Sequence, residues 1–275
     1  MNRLVAALLA AATVARAAVA AGESPEAAGG YDRELGIRLL FSASNPSMFH
    51  ARLAIRDDNA ATVAAGTWTG GVSDNALGRA LGGGLEASWG VLPDLRLLAA
   101  IEGRGAAATG SFTGAGANTK TDPVLGLQRQ MLDRTARYPA LGEELGVTVL
   151  LRDLGWCRLG LTARAGVWEL ADAHEEGTET GPLRTFAWAR NLSATAPGGL
   201  LGLEWEWTPG PVAAFVSFGY RELIFRDVRY DRSDSAGVQT SGDYKFPDDT
   251  RFQLDFSGPE LRLGVEALLA LPAPL

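Results

Sequence analysis

The sequence predicts an all-β chain, an antiparallel eight-stranded transmembrane β-barrel with four long extracellular loops and three short periplasmic turns. Apolar residues alternate with small or charged residues in eight segments, which is the pattern of strands with one apolar face. Short and long connections alternate between these segments, as in the barrels of bacterial outer membranes. The pattern offers no second set of strands or long helices to cover so wide an apolar face. Lipid is therefore its simplest cover.

Composition excludes several classes of function. The 275 residues carry 25 Lys and Arg against 32 Asp and Glu, a formal net charge of -7, so the basic surface that nucleic-acid binding requires is not expected. Hydrophobic residues make up 47% of the chain, which excludes general disorder. One cysteine and two histidines exclude a disulfide framework and a multi-histidine metal site within one chain.

The N-terminal segment 1–20 predicts a cleaved signal peptide. It has a basic residue at Arg3, an apolar run at Leu4–Val14 and the small tripeptide Ala18-Val19-Ala20 before the expected cleavage point. The apolar run is about half of the ~20 residues that a membrane-spanning helix needs. We therefore expect residues 21–275 to form a single outer-membrane β-barrel domain.

The eight predicted strands follow one another along this domain. The fifth shows the pattern most clearly, since Leu159 and Leu161 alternate with Arg158, Gly160 and Thr162. Each segment has the length of a transmembrane strand, about 9 to 11 residues, or slightly less. In chain order the segments are Glu34–Phe41, Leu81–Trp89, Leu95–Glu102, Leu145–Arg152, Cys157–Val167, Leu201–Trp207, Val212–Arg221 and Leu261–Leu269.

The connections fall into two classes. Three short ones have the Pro, Gly and Asp residues of tight turns, and they are Leu92–Asp94, Asp153–Trp156 and Thr208–Pro211. Four long ones are rich in Gly, Ser, Thr, Asp and Asn, and they are Ala43–Ala80, Ala108–Glu143, Leu170–Gly199 and Asp227–Pro259. Structureless loops of this length are uncommon in compact soluble domains but are expected outside the membrane in a barrel.

The polar face of the strands is expected to line a narrow lumen. Eight strands leave an interior just wide enough for side chains to fill, and the many glycines of this face would make room for long charged groups. Glu86 and Glu102 are the expected partners of Arg38, Arg104 and Arg164 at mid-strand depth. The predicted charge network comprises Glu34, Arg38, Glu86, Arg96, Glu102, Arg104, Arg152, Arg158, Arg164, Glu204, Glu206, Arg221, Arg262 and Glu266. It forms either a permanently salt-bridged filling or a gated ion path.

Aromatic residues are placed as interface anchors of a barrel. Four tryptophans lie within a few residues of the short turns, and two further aromatics lie at the opposite strand ends. The predicted membrane-interface aromatics are Trp89, Trp156, Trp205 and Trp207 at one interface and Trp168 and Tyr220 at the other.

In architecture, residues Glu34 to Leu271 resemble the small eight-stranded outer-membrane barrels, the group of the OmpA transmembrane domain and OmpW-like proteins. The closing segment Leu254–Val265, LDFSGPELRLGV, is similar to the last strand of Legionella-type pore-forming outer-membrane proteins. The resemblance implies a porin-like barrel of a Gram-negative outer membrane and transfers no catalytic residue. The chain departs from the group at Leu269–Leu275, which has no terminal aromatic, so we expect a weaker assembly signal.

The predicted function is that of an outer-membrane barrel in a structural, surface-interaction or narrow-pore role. Its expected partners are membrane lipid, including lipopolysaccharide, and small solutes or surface partners that reach the loops; no nucleic acid and no cofactor are expected. One alternative is a soluble secreted β-barrel or sandwich that binds a small apolar ligand with its apolar face inward. The other is a membrane-embedded hydrolase, for which Glu204 and Glu206 form the only candidate dyad and His50 and His174 are isolated in loops.

Overall fold

The computed structural model describes residues 31, 34–64, 67–115, 129–180, 185–207, 212–246 and 248–270. The predicted signal peptide, the third short turn at residues 208–211 and the C-terminal residues 271–275 lie outside this part of the chain. Within it, no helix combines the length and the apolar character needed to cross a membrane.

Strands dominate the described residues. In chain order the elements are β1 (Glu34–Ser44), α1 (Phe49–Ala64), β2 (Thr67–Val72), a 3₁₀ helix (Asp74–Gly78), β3 (Ala80–Leu92), β4 (Leu95–Ala115), β5 (Arg129–Asp153), β6 (Cys157–Leu170), β7 (Ala173–Thr180), β8 (Thr185–Ser193), β9 (Thr195–Trp207), β10 (Val212–Phe225), β11 (Arg229–Asp234), β12 (Gln239–Asp243), β13 (Leu254–Asp255) and β14 (Gly258–Ala270).

Eight of these strands close into an antiparallel barrel in the order β1, β3, β4, β5, β6, β9, β10, β14 and back to β1. The closing pair brings Glu34 opposite Ala270, and Arg38 lies opposite both Glu86 and Glu266. Closure leaves these strands without an open edge at barrel level. The predicted eight-stranded barrel is confirmed, and each predicted segment lies within one of these strands.

The two faces of the barrel have opposite chemistry. Outward-facing Leu, Ile, Val and Phe side chains on all eight strands are exposed, for example Leu81 at 71% and Leu145 at 69%. On β5 this apolar belt runs from Leu141 to Leu151, about the length that crosses a membrane in a tilted strand. The inner face carries buried arginines and glutamates. The alternative of a soluble barrel with an inward apolar face is therefore wrong.

The described parts of the long connections form a helix and strands, where structureless loops were expected. β4 and β5 continue beyond the apolar belt and carry an extension sheet in the order β12, β11, β8, β7, β5, β4, β2. Outward positions of β4 become Thr109, Ser111 and Thr113 at this level, and they are exposed. The apolar alternation ends where the belt ends, so a search for apolar alternation does not find these strands.

Helix α1 packs on the loop side of the barrel. It buries Ala51 and Ile55 in an apolar cluster that also contains Phe112, Leu132 and Phe256. We refer to this cluster as the loop-end core. The amide of Asn59 ties α1 to β2, because it donates to the carbonyl of Val72 at 2.9 Å and accepts from the Val72 N–H at 3.2 Å.

Candidate functional site

The barrel interior holds a continuous network of ion pairs. Seven arginines and seven glutamates are buried there among the described residues: Arg38, Arg96, Arg104, Arg158, Arg164, Arg221, Arg262, Glu86, Glu102, Glu144, Glu204, Glu206, Glu260 and Glu266. Every one of them contacts at least one residue of opposite charge. We call this set, together with Glu34 at its turn-side rim, the interior network.

On the turn side, Arg96 and Arg158 share two carboxylates. Arg158 contacts Glu34 at 2.8 Å and Glu206 at 3.3 Å, and Arg96 contacts Glu34 at 3.2 Å and also pairs with Glu206. Tyr31 lies over both guanidinium groups, with its ring centroid 4.0 Å from Arg96 Cζ and 5.4 Å from Arg158 Cζ. Its side chain is buried, so an aromatic ring caps this end of the network.

The centre of the network is Arg38. Its guanidinium group contacts four carboxylates, Glu86 at 3.2 Å, Glu204 at 2.9 Å, Glu206 at 2.8 Å and Glu266 at 2.8 Å. The residues come from four different strands, β1, β3, β9 and β14. One arginine therefore ties together strands that are distant in sequence.

A second group lies nearer the loops. Glu260 contacts Arg104 and Arg221, each at 2.8 Å, and Glu102 contacts Arg104 at 2.7 Å. The indole ring of Trp168 lies 4.8 Å from Arg104 Cζ and 4.9 Å from Arg221 Cζ. The loop-side end of the network is thus also covered by an aromatic ring.

The predicted lumen residues all lie on the inner face except Arg152, whose side chain is exposed. That expectation was wrong because of a bulge, since Leu150 pairs with Gly160 but Arg152 pairs with Leu159. The extra residue reverses the alternation at the end of β5. The expected pairs Arg38–Glu86, Arg164–Glu86 and Arg104–Glu102 are formed.

Sequence reasoning missed Glu144 and Glu260, which pair with Arg221. Both stand one residue before the predicted start of their strands. Glu144 has the inward parity of Gly146 and Thr148, and Glu260 has that of Arg262 and Gly264. Extending each alternation backward by one residue would have found them.

The predicted interface aromatics divide into two groups. Trp89, Trp156, Trp207 and Tyr220 are exposed outside the barrel, and Trp205 is partly exposed. Trp168 is instead fully buried in the interior, so its interface assignment was wrong.

Two observations explain the position of Trp168. Because β6 continues to Leu170, Trp168 has the inward parity of Arg164 and Gly166. Space for its ring comes from Gly142, where a Cβ atom would lie 2.2 Å from the indole, and Gly198, where it would lie 2.8 Å away. Its Nε1 donates to Glu144 Oε1 at 3.1 Å.

The candidate catalytic groups are engaged elsewhere. Glu204 and Glu206 both bind Arg38. His50 Nδ1 accepts the backbone N–H of Gln253 at 3.1 Å, and His174 Nδ1 lies 2.8 Å from the carbonyl of Asp172. Over the described ranges, no cluster of three or more His, Cys, Asp or Glu side chains is arranged to hold a metal ion.

The sequence matches no protein-family model and no curated protein. Among solved structures it is similar to a major outer membrane protein from Thermus thermophilus, at a TM-score of 0.47 and 13% identity over 86% of this chain and 99% of that one. It is also similar to AlkL in DMPC bilayers, at 0.38 and 13% over 92% and 98%. A third is OprG from Pseudomonas aeruginosa, at 0.35 and 11% over 88% and 99%. Similarity at these scores transfers no residue roles to this chain.

Proposed function

We propose that this protein is an exported outer-membrane barrel with a permanently filled lumen, and that it works as a structural and surface-interaction protein through its loop end. The apolar belt supports the membrane location, because an apolar band around a closed barrel needs a hydrocarbon cover. Its partners are then membrane lipid, including lipopolysaccharide, and molecules that reach the loops. A cleaved signal peptide at residues 1–20 and one barrel domain at 21–275 belong to the same proposal.

The interior network carries the proposal of a filled lumen. Its charges are buried and mutually paired, Tyr31 caps the turn side, and the loop-end core and α1 cover the other side. Moving an ion through this interior would require breaking several buried ion pairs at once, and each leaves an uncompensated charge in a confined space. The geometry therefore favours a permanently filled lumen over an ion-conducting pore.

Planar-bilayer recordings test this proposal. Full-length protein whose folding is verified by heat-modifiable gel mobility should give no reproducible unitary current steps. The same preparation should show the folded band before and after reconstitution, so that an absence of current steps cannot be the result of unfolding. Reproducible steps from wild-type protein would contradict the filled lumen.

A narrow gated pore is the second candidate, and one observation favours it. Glu204 Oε2 and Arg164 Nε are buried without a hydrogen-bond partner among the described residues, so the network has spare groups with which to re-pair. If the network is a gate, Glu86→Ala should raise the frequency or size of current steps. If folded Glu86→Ala protein also gives no current steps, the gated pore is contradicted and the filled lumen is supported.

No catalytic role is part of this proposal, since Glu204 and Glu206 are held by Arg38. An assay of lipid and peptide hydrolysis by the purified protein tests for a catalytic role. Activity that disappears in His50→Ala or His174→Ala would establish an enzyme instead.

A further inference from the structure

A cavity of 520 Å³ lies at the loop end, between α1 and the extension sheet and next to Tyr244 and Phe246. This volume is within the range of small-ligand sites, roughly 300 to 1,000 Å³. The cavity is separate from the interior network, because its lining comes from α1, from the β5 residues beyond the apolar belt, and from β7, β8 and β11. The proposed filled lumen makes no use of it.

One wall of the cavity is a continuous face across four neighbouring strands. Glu175 of β7 lies opposite Ala136 of β5 and opposite Arg190 of β8, and Arg190 lies opposite Arg232 of β11. Side chains at directly opposed positions point to the same side of a sheet. Two arginines and one glutamate therefore face the cavity side by side.

Trp188 supplies an aromatic surface on this wall. It lies opposite Gly177, where a Cβ atom would be 2.5 Å from the indole Nε1, so glycine allows the ring to lie close against β7. The guanidinium carbons of Arg190 and Arg232 are 5.8 Å and 5.5 Å from the ring centroid. These cation–π contacts hold the ring in place.

Glu175 fixes the polar part of the same wall. It accepts hydrogen bonds from Tyr138 Oη at 2.7 Å, Arg190 Nη1 at 2.8 Å and Tyr244 Oη at 3.2 Å. Burial raises the pKa of Tyr244, so its phenol stays protonated at neutral pH and can donate. The wall is preorganised before any ligand arrives, which lowers the entropy cost of binding.

Two donors in this preorganised wall are left over. Arg190 Nε and Arg134 Nε are buried and have no hydrogen-bond partner among the described residues. Buried donors in native proteins are almost always satisfied, by protein, water or a bound molecule. These two nitrogens therefore need acceptor oxygens, from water or from a bound molecule.

The opposite side of the cavity adds acceptors. Asp57 and Asp58 of α1 line it and are exposed, and Asp58 pairs with Arg134. The cavity thus combines both signs of charge, with Asp57, Asp58 and Glu175 beside Arg134, Arg190, Arg232 and Lys245. The Asp57 carboxylate, which has no ion-pair partner among the described residues, disfavours an anionic ligand, and the unpaired guanidinium donors disfavour a cationic one.

We infer that this cavity binds a neutral saccharide. A hydroxyl group both accepts and donates hydrogen bonds, so sugar hydroxyls satisfy the arginine donors and the Asp57 carboxylate together. The C–H face of a sugar ring is apolar enough to stack on the indole of Trp188. The inference rests on the proposed function only for the position of the cavity outside the lipid.

Isothermal titration calorimetry tests the inference on full-length protein folded in lauryl dimethylamine oxide, a detergent without a sugar headgroup. The probes are maltose and N,N′-diacetylchitobiose, with glycerol as a polyol that has no ring face and benzoate as an aromatic anion. We expect saturable binding of at least one disaccharide and none of glycerol or benzoate. Trp188→Ala should bind that disaccharide about tenfold more weakly, the loss of one aromatic contact.

Two further variants separate binding from folding. Trp156→Ala removes an exposed tryptophan at the turn end and should bind like wild type. Arg232→Gln removes a cation beside Trp188 while leaving the ring, and it should also weaken binding. This variant replaces Trp188→Ala as the test if Trp188→Ala does not fold. The inference is overturned if folded wild-type protein binds neither disaccharide, if it binds benzoate in preference, or if Trp188→Ala binds as well as Trp156→Ala.

This outcome is independent of the bilayer recordings. Saccharide binding together with current steps would overturn the filled lumen and leave the cavity assignment standing. The absence of current steps together with the absence of saccharide binding would overturn the cavity assignment and leave the filled lumen standing.

Discussion

An arginine in the barrel interior serves several carboxylates at once. Arg38 contacts Glu86, Glu204, Glu206 and Glu266, which a planar group with five donors can do and a lysine ammonium with three donors cannot. Burying so many charges is costly, and the attraction between them offsets the cost only when the pairing is complete. The network is therefore sensitive to the loss of any single member.

Glu86→Ala tests this sensitivity. The change leaves Arg164 without the carboxylate that it contacts and removes one of the four around Arg38. We expect a loss of about 3 to 5 kcal/mol in the free energy of unfolding, the size seen when one partner of a buried pair is removed. Urea unfolding of the protein in lipid vesicles, followed by gel mobility, measures the change.

Glu222→Ala is the matched control, because Glu222 lies on the outer face of β10 beyond Tyr220 and is exposed. Its removal should cost less than about 1 kcal/mol. Equal stability of the two variants would mean that the inner face is solvated.

At the scale of single elements, α1 acts as a cover that is held by apolar packing. Ile55 is buried in the loop-end core, whereas Val63 on the same helix is 46% exposed. Ile55→Asp would put a charged carboxylate in place of an apolar side chain that packs in that core. We expect α1 to detach while the barrel stays closed, so that trypsin cleaves at Arg52 and Arg56 several-fold faster than in wild type.

Mass spectrometry of limited digests locates the cuts, and heat-modifiable mobility reports the barrel. Val63→Asp should digest at the wild-type rate. If Ile55→Asp digests equally slowly, the packing of α1 on the loop-end core is not what holds the helix.

The elements divide sharply into those that the sequence predicts and those that it does not. The strands that form the apolar belt can be predicted, because lipid on one side and a polar interior on the other impose strict alternation of apolar and polar residues. The upper parts of β4 and β5 and the strands of the extension sheet face water, so residues such as Thr109 and Ser111 carry no such signal. The inward orientation predicted for Arg152 was wrong because the residues that precede the bulge keep a regular alternation and do not reveal it.

At the scale of the whole molecule, closure solves the edge problem only within the membrane. Among the described residues, the extension sheet ends at two edge strands, β2 and β12. β12 is five residues long, and all of its side chains are polar or glycine and exposed. Short polar edges of this kind disfavour pairing with other chains. The molecule thus combines an edgeless apolar barrel with a water-exposed sheet.

Leu203→Arg tests the lipid-facing belt on which this description of the whole molecule depends. Leu203 faces outward on β9, opposite Leu161 and Phe218, and lies near the middle of the belt. An arginine on the lipid face at the bilayer midplane costs about 2 to 4 kcal/mol, because its charge must be drawn toward the interface or hydrated within the hydrocarbon. Thr109→Arg places the same side chain on the exposed outer face of β4 beyond the belt, where it should cost about 0 to 1 kcal/mol. Urea unfolding in lipid vesicles should therefore separate the two variants. If Leu203→Arg were as stable as Thr109→Arg, the belt would be facing water, and the outer-membrane location and the inward position of the interior network would have to be explained in another way.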